Sequence, residues 1–300
     1  MSYKLQKPFL KWVGGKTQII EHILNVFPKE LNNYHEIFLG GGSVLLALLS
    51  LQKQNKILIK GNIYAYDLNY TLINVYKNIQ NNKEELFKYI EYYINEYDNI
   101  KDVIINRKPT NIEEAKTSKE SYYYWIRNHF NNIDKNTAEC SALFIILNKL
   151  CFRGLYREGP NGFNVPYGHY KNTPNMITKE ELYYISDLIR DVKFIHSDFT
   201  VSLKNVIKGD YVYLDPPYAL ENKTSFVGYT TDGFNLECHN KLFELITKFN
   251  SNDIKFSMSN SKVDLVMNYF KDYNIIEIEA RRAINSKNPE SKTIEVIISN

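Results

Sequence analysis

The stretch "YHEIFLGGGSVLLALL" (residues 34–49) decides the fold class. Its aromatic and β-branched start favours an extended strand, and the three glycines Gly40, Gly41 and Gly42 interrupt it. The apolar run beyond Ser43 suits a helix buried on most of its faces. "NIYAYDLN" (62–69) then reads as a second strand, one that ends in an acid. Strand, glycine turn, helix, strand is the repeating unit of α/β proteins.

Working outward, "QIIEHILNVF" (18–27) has helical spacing and stops at Pro28. A helix over 178–190 leads into the strand "VKFIHSDF", followed by "YVYLDPPY", a helix over 235–249, "IKFSMSN", a helix over 261–270 and two β runs, "NIIEIEA" and "TIEVIIS". The expectation is a Rossmann-like, doubly wound α/β sheet with helices on both faces. Residues 72–177 break that rhythm. Residues 70–106 read as polar helix, 107–136 as an irregular polar stretch around a tyrosine-rich piece, and 138–152 as an apolar helix. The Gly-, Pro- and Asn-dense "RGLYREGPNGFNVPYGHYKNTP" then suggests a hairpin. The expected organisation is one domain from 1–71 and 178–300, with a mostly helical insertion at 72–177 that carries a β-hairpin.

Composition narrows the class further. The 300 residues are 44% hydrophobic and 24% charged, with 24 tyrosines, so the chain can bury a sizeable core. A net charge of +3 is too small to argue for a polyanionic partner, which must be argued from a local patch. Cys140, Cys151 and Cys238 lack paired spacing, which fits a reducing compartment rather than a disulfide framework or a zinc cluster. The histidines show no metal-ligand spacing, and no metal is expected. The longest apolar run, "VLLALLSL" (44–51), is too short for a bilayer, and the N-terminus has no apolar signal segment. A cytoplasmic or otherwise intracellular location, with no membrane, is expected.

In an open α/β sheet, ligands gather at the carboxyl ends of the strands. Those ends read FLGGGS (38–43), YD (66–67), HSDF (196–199) and DPPY (215–218). The glycine turn lets backbone approach a ligand closely. Asp67 stands where a carboxylate accepts from ribose hydroxyls. Asp198 can accept from an adenine amino group and Phe199 can stack on its face. Each also has a plain structural reading as a turn, a helix cap or a core aromatic; jointly they describe an adenosine site. "KWVGGKT" (11–17) is not a triphosphate loop, because Leu10 stands where its first glycine belongs. Lys16 suits a smaller anion such as an amino-acid carboxylate.

DPPY poses a distinct chemical problem. Asp215 and the carbonyl of Pro216 are two acceptors, and neither proline brings an N–H to compete for them. Two acceptors about 3 Å from one point suit an NH2 group, and Tyr218 offers a ring for a flat heterocycle. An exocyclic amine on an aromatic base is a poor nucleophile, since its lone pair is delocalised. Acceptors fixed on both hydrogens free that lone pair with little reorganisation.

These residues resemble the Dam-type (D12 class, alpha group) site-specific DNA adenine N6-methyltransferases of bacteria and their viruses. "PFLKWVGGK", "FLGGGSV", "YDLNYTLINVY", "LYREGPNGFNVPYG", "HSDF", "DPPY", "TSFVGYTTDGF" and "KFSMSN" occur in that family's order, nearly end to end. The resemblance implies S-adenosylmethionine as methyl donor, no metal, and double-stranded DNA as partner. It implies Trp12, Val13 and Lys16 at the methionine end of the cofactor, with Phe38, Gly40, Gly41 and Gly42 beneath it. Asp67 would hold the ribose, and Asp198 and Phe199 the adenine. Asp215, Pro216, Pro217 and Tyr218 would be catalytic, Asp215 lying between the cofactor's amino group and the target nitrogen. The target adenine is flipped from the duplex, at a cost of about a few kcal/mol.

The inserted segment implies the DNA reader. Arg153, Arg157 and the asparagines of the hairpin 151–170 carry forked groups that match base edges. The expected DNA-binding residues are Arg153, Tyr156, Arg157, Asn161 and Asn164, with Tyr229 in a loop over the flipped base. The hairpin tip "REGPNG" departs from enterobacterial members while "FNVPYG" is retained, so the target is GATC or another short adenine-containing site. A restriction endonuclease acting on the same site is a further implied partner. Competing readings are methylation of RNA adenine or of a glutamine amide, and a DNA-binding protein without catalysis. Asp215 argues against the amide, since enzymes of that kind carry Asn before the two prolines, and the intact motif argues against lost catalysis.

Overall fold

The computed structural model describes residues 4–219, 234–281 and 292–300. The chain divides into two compact units, Met1–Lys7 with Lys16–Leu68 and Asp191–Asn300, and Pro8–Gly15 with Asn69–Arg190.

The first unit is built on a seven-stranded sheet. Its strands are β1 (Tyr34–Glu36), β2 (Ile63–Asp67), β3 (Val192–His196), β4 (Tyr211–Leu214), β5 (Lys255–Ser261), β6 (Asn274–Arg281) and β7 (Lys292–Ser299). They lie in the order β3-β2-β1-β4-β5-β7-β6. The first five are parallel, and β7 runs antiparallel between β5 and β6. From β1 the chain steps one way through the helix Ser43–Lys53 to β2; from β4 it steps the other way through the helix Leu236–Thr247 to β5. Right-handed crossovers in opposite directions put helices on opposite faces, as a doubly wound sheet requires. The reversal leaves β1 beside β4, with Ile37 N–H bonded to the Tyr213 carbonyl at 3.1 Å; in open α/β sheets such a reversal is where ligands gather.

Strand β4 is buried throughout, so each of its faces needs partners. Val212 and Leu214 join the core with Leu242, Phe243 and Ile246 of the helix and Phe256 and Met258 of β5. Tyr211 and Tyr213 alternate to the other face, where Phe27 packs on both at 4.8 and 5.8 Å between ring centres. Their phenols do not go unpaired: Tyr211 donates to Ser257 Oγ at 2.9 Å, and Tyr213 shares a bond with Ser259 Oγ at 2.8 Å. The serines of "KFSMSN" are thus the polar complement of the tyrosines of "YVYL".

The second unit is mostly helical. The buried helix Ala138–Leu150 is packed by Tyr70–Asn81, Lys83–Asp98 and Lys119–Asn132. The single polar helix expected to 106 is two helices parted at Asn82. The stretch 107–136, expected as irregular, carries the helix Lys119–Asn132, capped by the Ser118 side chain accepting from Ser121 N–H. Its run of tyrosines has strand propensity, but Tyr122, Tyr123, Ile126 and Phe130 share one buried helical face and tertiary burial prevails. The helix Lys179–Leu188 packs on Tyr70–Asn81 and Lys83–Asp98 and belongs to this unit, as do residues 8–15. No described helix is long and apolar enough to cross a membrane.

Candidate active site

Lys16 and Asp215 meet beside the reversal point of the sheet. Lys16 is 4% exposed, and its Nζ lies 2.9 Å from Asp215 Oδ1. The approach is an ion pair rather than an aligned hydrogen bond. The same ammonium stands 4.7 Å from the centre of the Tyr218 ring. Its backbone N–H is anchored on Ser43 Oγ at 3.1 Å, so the start of the glycine-capped helix sets where Lys16 begins. Burial pushes the Asp215 carboxyl up to about 6, Lys16 pulls it back, and Glu295 adds to the rise. Glu295, on β7, accepts the Tyr218 hydroxyl at 2.7 Å. Lys16, Asp215, Tyr218 and Glu295 are therefore one connected group, in which the Tyr218 ring is held by its hydroxyl.

One layer deeper, Glu36 of β1 is 2% exposed. Burial pushes its carboxyl up to about 8, against hydrogen bonds from the Tyr34 hydroxyl and the Leu45 backbone; the Asp215 charge adds to the rise. A carboxyl shifted this far favours its neutral form near pH 7, which spares the fold a second buried negative charge beside Asp215.

The other strand ends converge as well. Gly40 and Gly42 have φ of 50° and 67°, values that L side chains adopt rarely. Gly40 N–H donates to Asp67 Oδ2 at 2.8 Å, which ties the glycine turn to the acid at the end of β2. Gly41 is buried between them. Asp67 does not cap the next helix; Asn69 does, accepting from Leu72 N–H at 2.9 Å. Asp198 Oδ1 caps its own turn through Thr200 N–H and Oγ1, at 2.9 and 2.6 Å. Phe38 and Phe199 face each other at 6.0 Å, and Phe234 closes a triangle with them at 5.9 and 5.6 Å. An acid tied to a glycine turn, a second acid and a cluster of aromatic faces suit a nucleoside. Lys16 and Asp215 offer one cation and one anion, which complement the carboxylate and ammonium of an amino acid. The residues present thus fit adenosylmethionine.

Trp12 and Val13 belong to the second unit, where Trp12 packs on Phe144 at 6.3 Å and Tyr156 at 5.7 Å, rings that also touch each other. Tyr156 is turned into that cluster and also meets Phe163 at 5.5 Å. Among the expected DNA-reading residues it is the one seated in an aromatic core. Arg153, Arg157, Asn161 and Asn164 are exposed. Arg157 Nε donates to Asn164 Oδ1 at 2.6 Å across the short strands Glu158–Gly159 and Gly162–Phe163, so the two side chains present a joint edge. The hairpin is fixed from below: Asn131 holds both the N–H and the carbonyl of Phe163, and Tyr123 donates to the Val165 carbonyl at 2.8 Å. Arg153 has φ 58°, a left-handed backbone unusual for arginine. Tyr229 and most of "TSFVGYTTDGF" lie outside the described residues.

Sequence reasoning missed Glu295, Asn260 and the engagement of Lys16 with Asp215. Glu295 looks like any outward charge on a strand. Asn260 stood in a quoted motif, but nothing local shows what its amide holds. Among the described residues no cluster of three His, Cys, Asp or Glu comes together as a metal would need.

A mostly parallel sheet with helices on both sides is consistent with a methyltransferase fold. The chain belongs to the D12 class N6 adenine-specific DNA methyltransferases, whose family model matches residues 12–284. It is 37% identical to the type II methyltransferase M.MjaIII of Methanocaldococcus jannaschii, over 98% of this chain and 99% of that one. It is 33% identical to the type II methyltransferase M1.LlaDCHI of Lactococcus lactis subsp. cremoris, over 98% and 95% of the two chains. A DNA adenine methylase of Haemophilus influenzae is 29% identical over 95% of this chain and 90% of its own.

Proposed function

We propose that the chain methylates N6 of an adenine rotated out of a short duplex site, with Asp215, Pro216 and Tyr218 handling the base. The observation that carries this reading is the group formed by Lys16, Asp215 and Tyr218 at the end of β4. S-adenosylmethionine, when bound, supplies an electrophilic methyl on its sulfonium. Asp67, Phe38, Phe199, Asp198 and the glycine turn Gly40–Gly42 would hold its adenosine part, and Lys16 and Asp215 its amino-acid part; the family resemblance adds Trp12 and Val13. The Asp215 carboxylate and the Pro216 carbonyl accept the two N6 hydrogens, Pro217 stiffens the turn, and the Tyr218 ring stacks on the base. As the N6 lone pair forms the new C–N bond, the bond between methyl and sulfonium would break, its electron pair staying on sulfur to leave a neutral thioether, and one N6 proton then leaves. Asp215, with its carboxyl pushed up to about 6, is placed to pass that proton to water.

Duplex recognition falls to the hairpin, through Arg153, Asn161 and the linked Arg157 and Asn164, with Tyr229 at the flipped base. The site is GATC or another short adenine-containing sequence. Two of the relatives are named type II methyltransferases, which extends the proposal to protection against an endonuclease that cuts the same sequence. Transfer of labelled methyl to duplex DNA and to RNA tests the function. Wild type is expected to label duplex DNA, and Asp215→Ala to lose that activity with its fold intact. Normal turnover by Asp215→Ala would overturn the role of this carboxylate. Digesting methylated plasmid with endonucleases blocked at different adenine sites identifies the sequence.

A further inference from the structure

The catalytic turn cannot hold itself. Pro216 and Pro217 have no N–H, so two of its residues contribute no backbone donor. Its shape must come from outside anchors, and these sit on β5. Asn260 Oδ1 accepts the N–H of Ala219, the residue after Tyr218, at 3.1 Å. The same oxygen accepts Ser261 N–H at 2.9 Å, which locks the amide's own orientation. Ser261 Oγ donates to the Ala219 carbonyl at 2.5 Å. Both backbone groups of Ala219 are therefore bound to the end of β5, while the Tyr218 hydroxyl is bound to Glu295, directly opposite Ser261 on β7.

Asn260 is fully buried, and its Nδ2 has no hydrogen-bond partner among the described residues. A buried donor left unpaired costs roughly 1–3 kcal/mol. A leucine of similar volume would avoid that cost but leave Ala219 N–H without an acceptor. The amide is thus a stability liability whose benefit is local, at the residue that follows the stacking ring.

We propose that Asn260 is a positioning residue for methyl transfer: by fixing Ala219 it holds the Tyr218 ring and the Pro216 carbonyl in register with the target base. This rests on the reading of Asp215, Pro216 and Tyr218 as the catalytic residues. A misplacement of about 1 Å can cost on the order of 10²-fold in rate.

The test compares Asn260→Ala, Asn260→Asp and Ser261→Ala in the full chain, with Asp215→Ala alongside. Methyl transfer to a duplex substrate, calorimetric binding of S-adenosylhomocysteine and the melting temperature are measured. For Asn260→Ala, kcat is expected to fall roughly 30- to 100-fold with KM for the duplex and S-adenosylhomocysteine binding within about threefold of wild type. Asn260→Asp keeps an oxygen acceptor at the same place and recovers part of the loss. Ser261→Ala, which removes only the carbonyl anchor, lowers kcat several-fold and serves as the decisive variant if Asn260→Ala does not fold. A kcat within threefold of wild type in folded Asn260→Ala, or in Ser261→Ala where the former does not fold, overturns the proposal. So does a loss of kcat matched by an equal loss of S-adenosylhomocysteine binding and not recovered by Asn260→Asp, which marks a purely structural role. Normal turnover in Asp215→Ala would sink the underlying site reading instead, whatever the Asn260 variants do.

Discussion

Replacing Lys16 by methionine keeps an apolar stem over the Tyr218 ring and removes the ammonium 2.9 Å from Asp215. Two unit charges at that separation attract by about 6 kcal/mol at an effective dielectric of 20, which is an upper bound. Asp215 retains 17% side-chain exposure, so solvent screens part of this, and the usual effect of one close cation, roughly 1–3 pKa units, is the better guide. The wild-type carboxyl, pushed up to about 6, should therefore rise to about 7–9 in Lys16→Met. A carboxylate must be ionised to accept from the base, so activity is lost as pH falls through its pKa. The assay is kcat/KM for duplex substrate against pH at saturating cofactor, whose acid limb reports groups of the enzyme before DNA binds. Wild type should reach its plateau by about pH 7, whereas Lys16→Met should be depressed roughly tenfold near pH 7.5 and recover toward pH 9.5. A uniform loss at every pH, with the acid limb unmoved, would refute the reasoning and show that Lys16 acts on a ligand and not on the carboxylate.

Two further outcomes follow from the same structure. Glu36 takes up a proton on folding, so the fold loses stability as pH rises from about 4.5 toward 8. Glu36→Gln should match wild type in urea unfolding at pH 4.5 and exceed it by about 3 kcal/mol near pH 7; equal stability at both would mean that Glu36 is ionised in the fold. Arg157→Ala, which also releases Asn164, should weaken duplex binding by about 1–3 kcal/mol and relax sequence choice while leaving S-adenosylhomocysteine affinity unchanged. Lost S-adenosylhomocysteine affinity in that variant would remove the hairpin from DNA recognition.

What could be read in the sequence was what repeats locally. The switch from period two to helical spacing around Gly40–Gly42, and again around Asp215, marks strands and crossovers without reference to the rest of the chain. The strand-end acids were legible because the fold class says where ligands gather. Lys119–Asn132 was not, because its tyrosines favour strands and only the surrounding helices make their burial helical. The Lys16–Asp215 pair, the Glu295–Tyr218 bond and the Asn260 clamp link residues far apart in the chain, and long-range polar contacts leave no periodic trace. Tyr156, expected at the DNA, packs against Trp12 and Phe163, a contact that no local pattern in the hairpin announces.

Strand β7 is made after β6 but lies inside it, between β6 and β5. β6 therefore holds its place in the sheet only through β7. Glu295 lies on that intervening strand. A chain cut before residue 295 would carry the DPPY turn without the acid that accepts the hydroxyl of its ring.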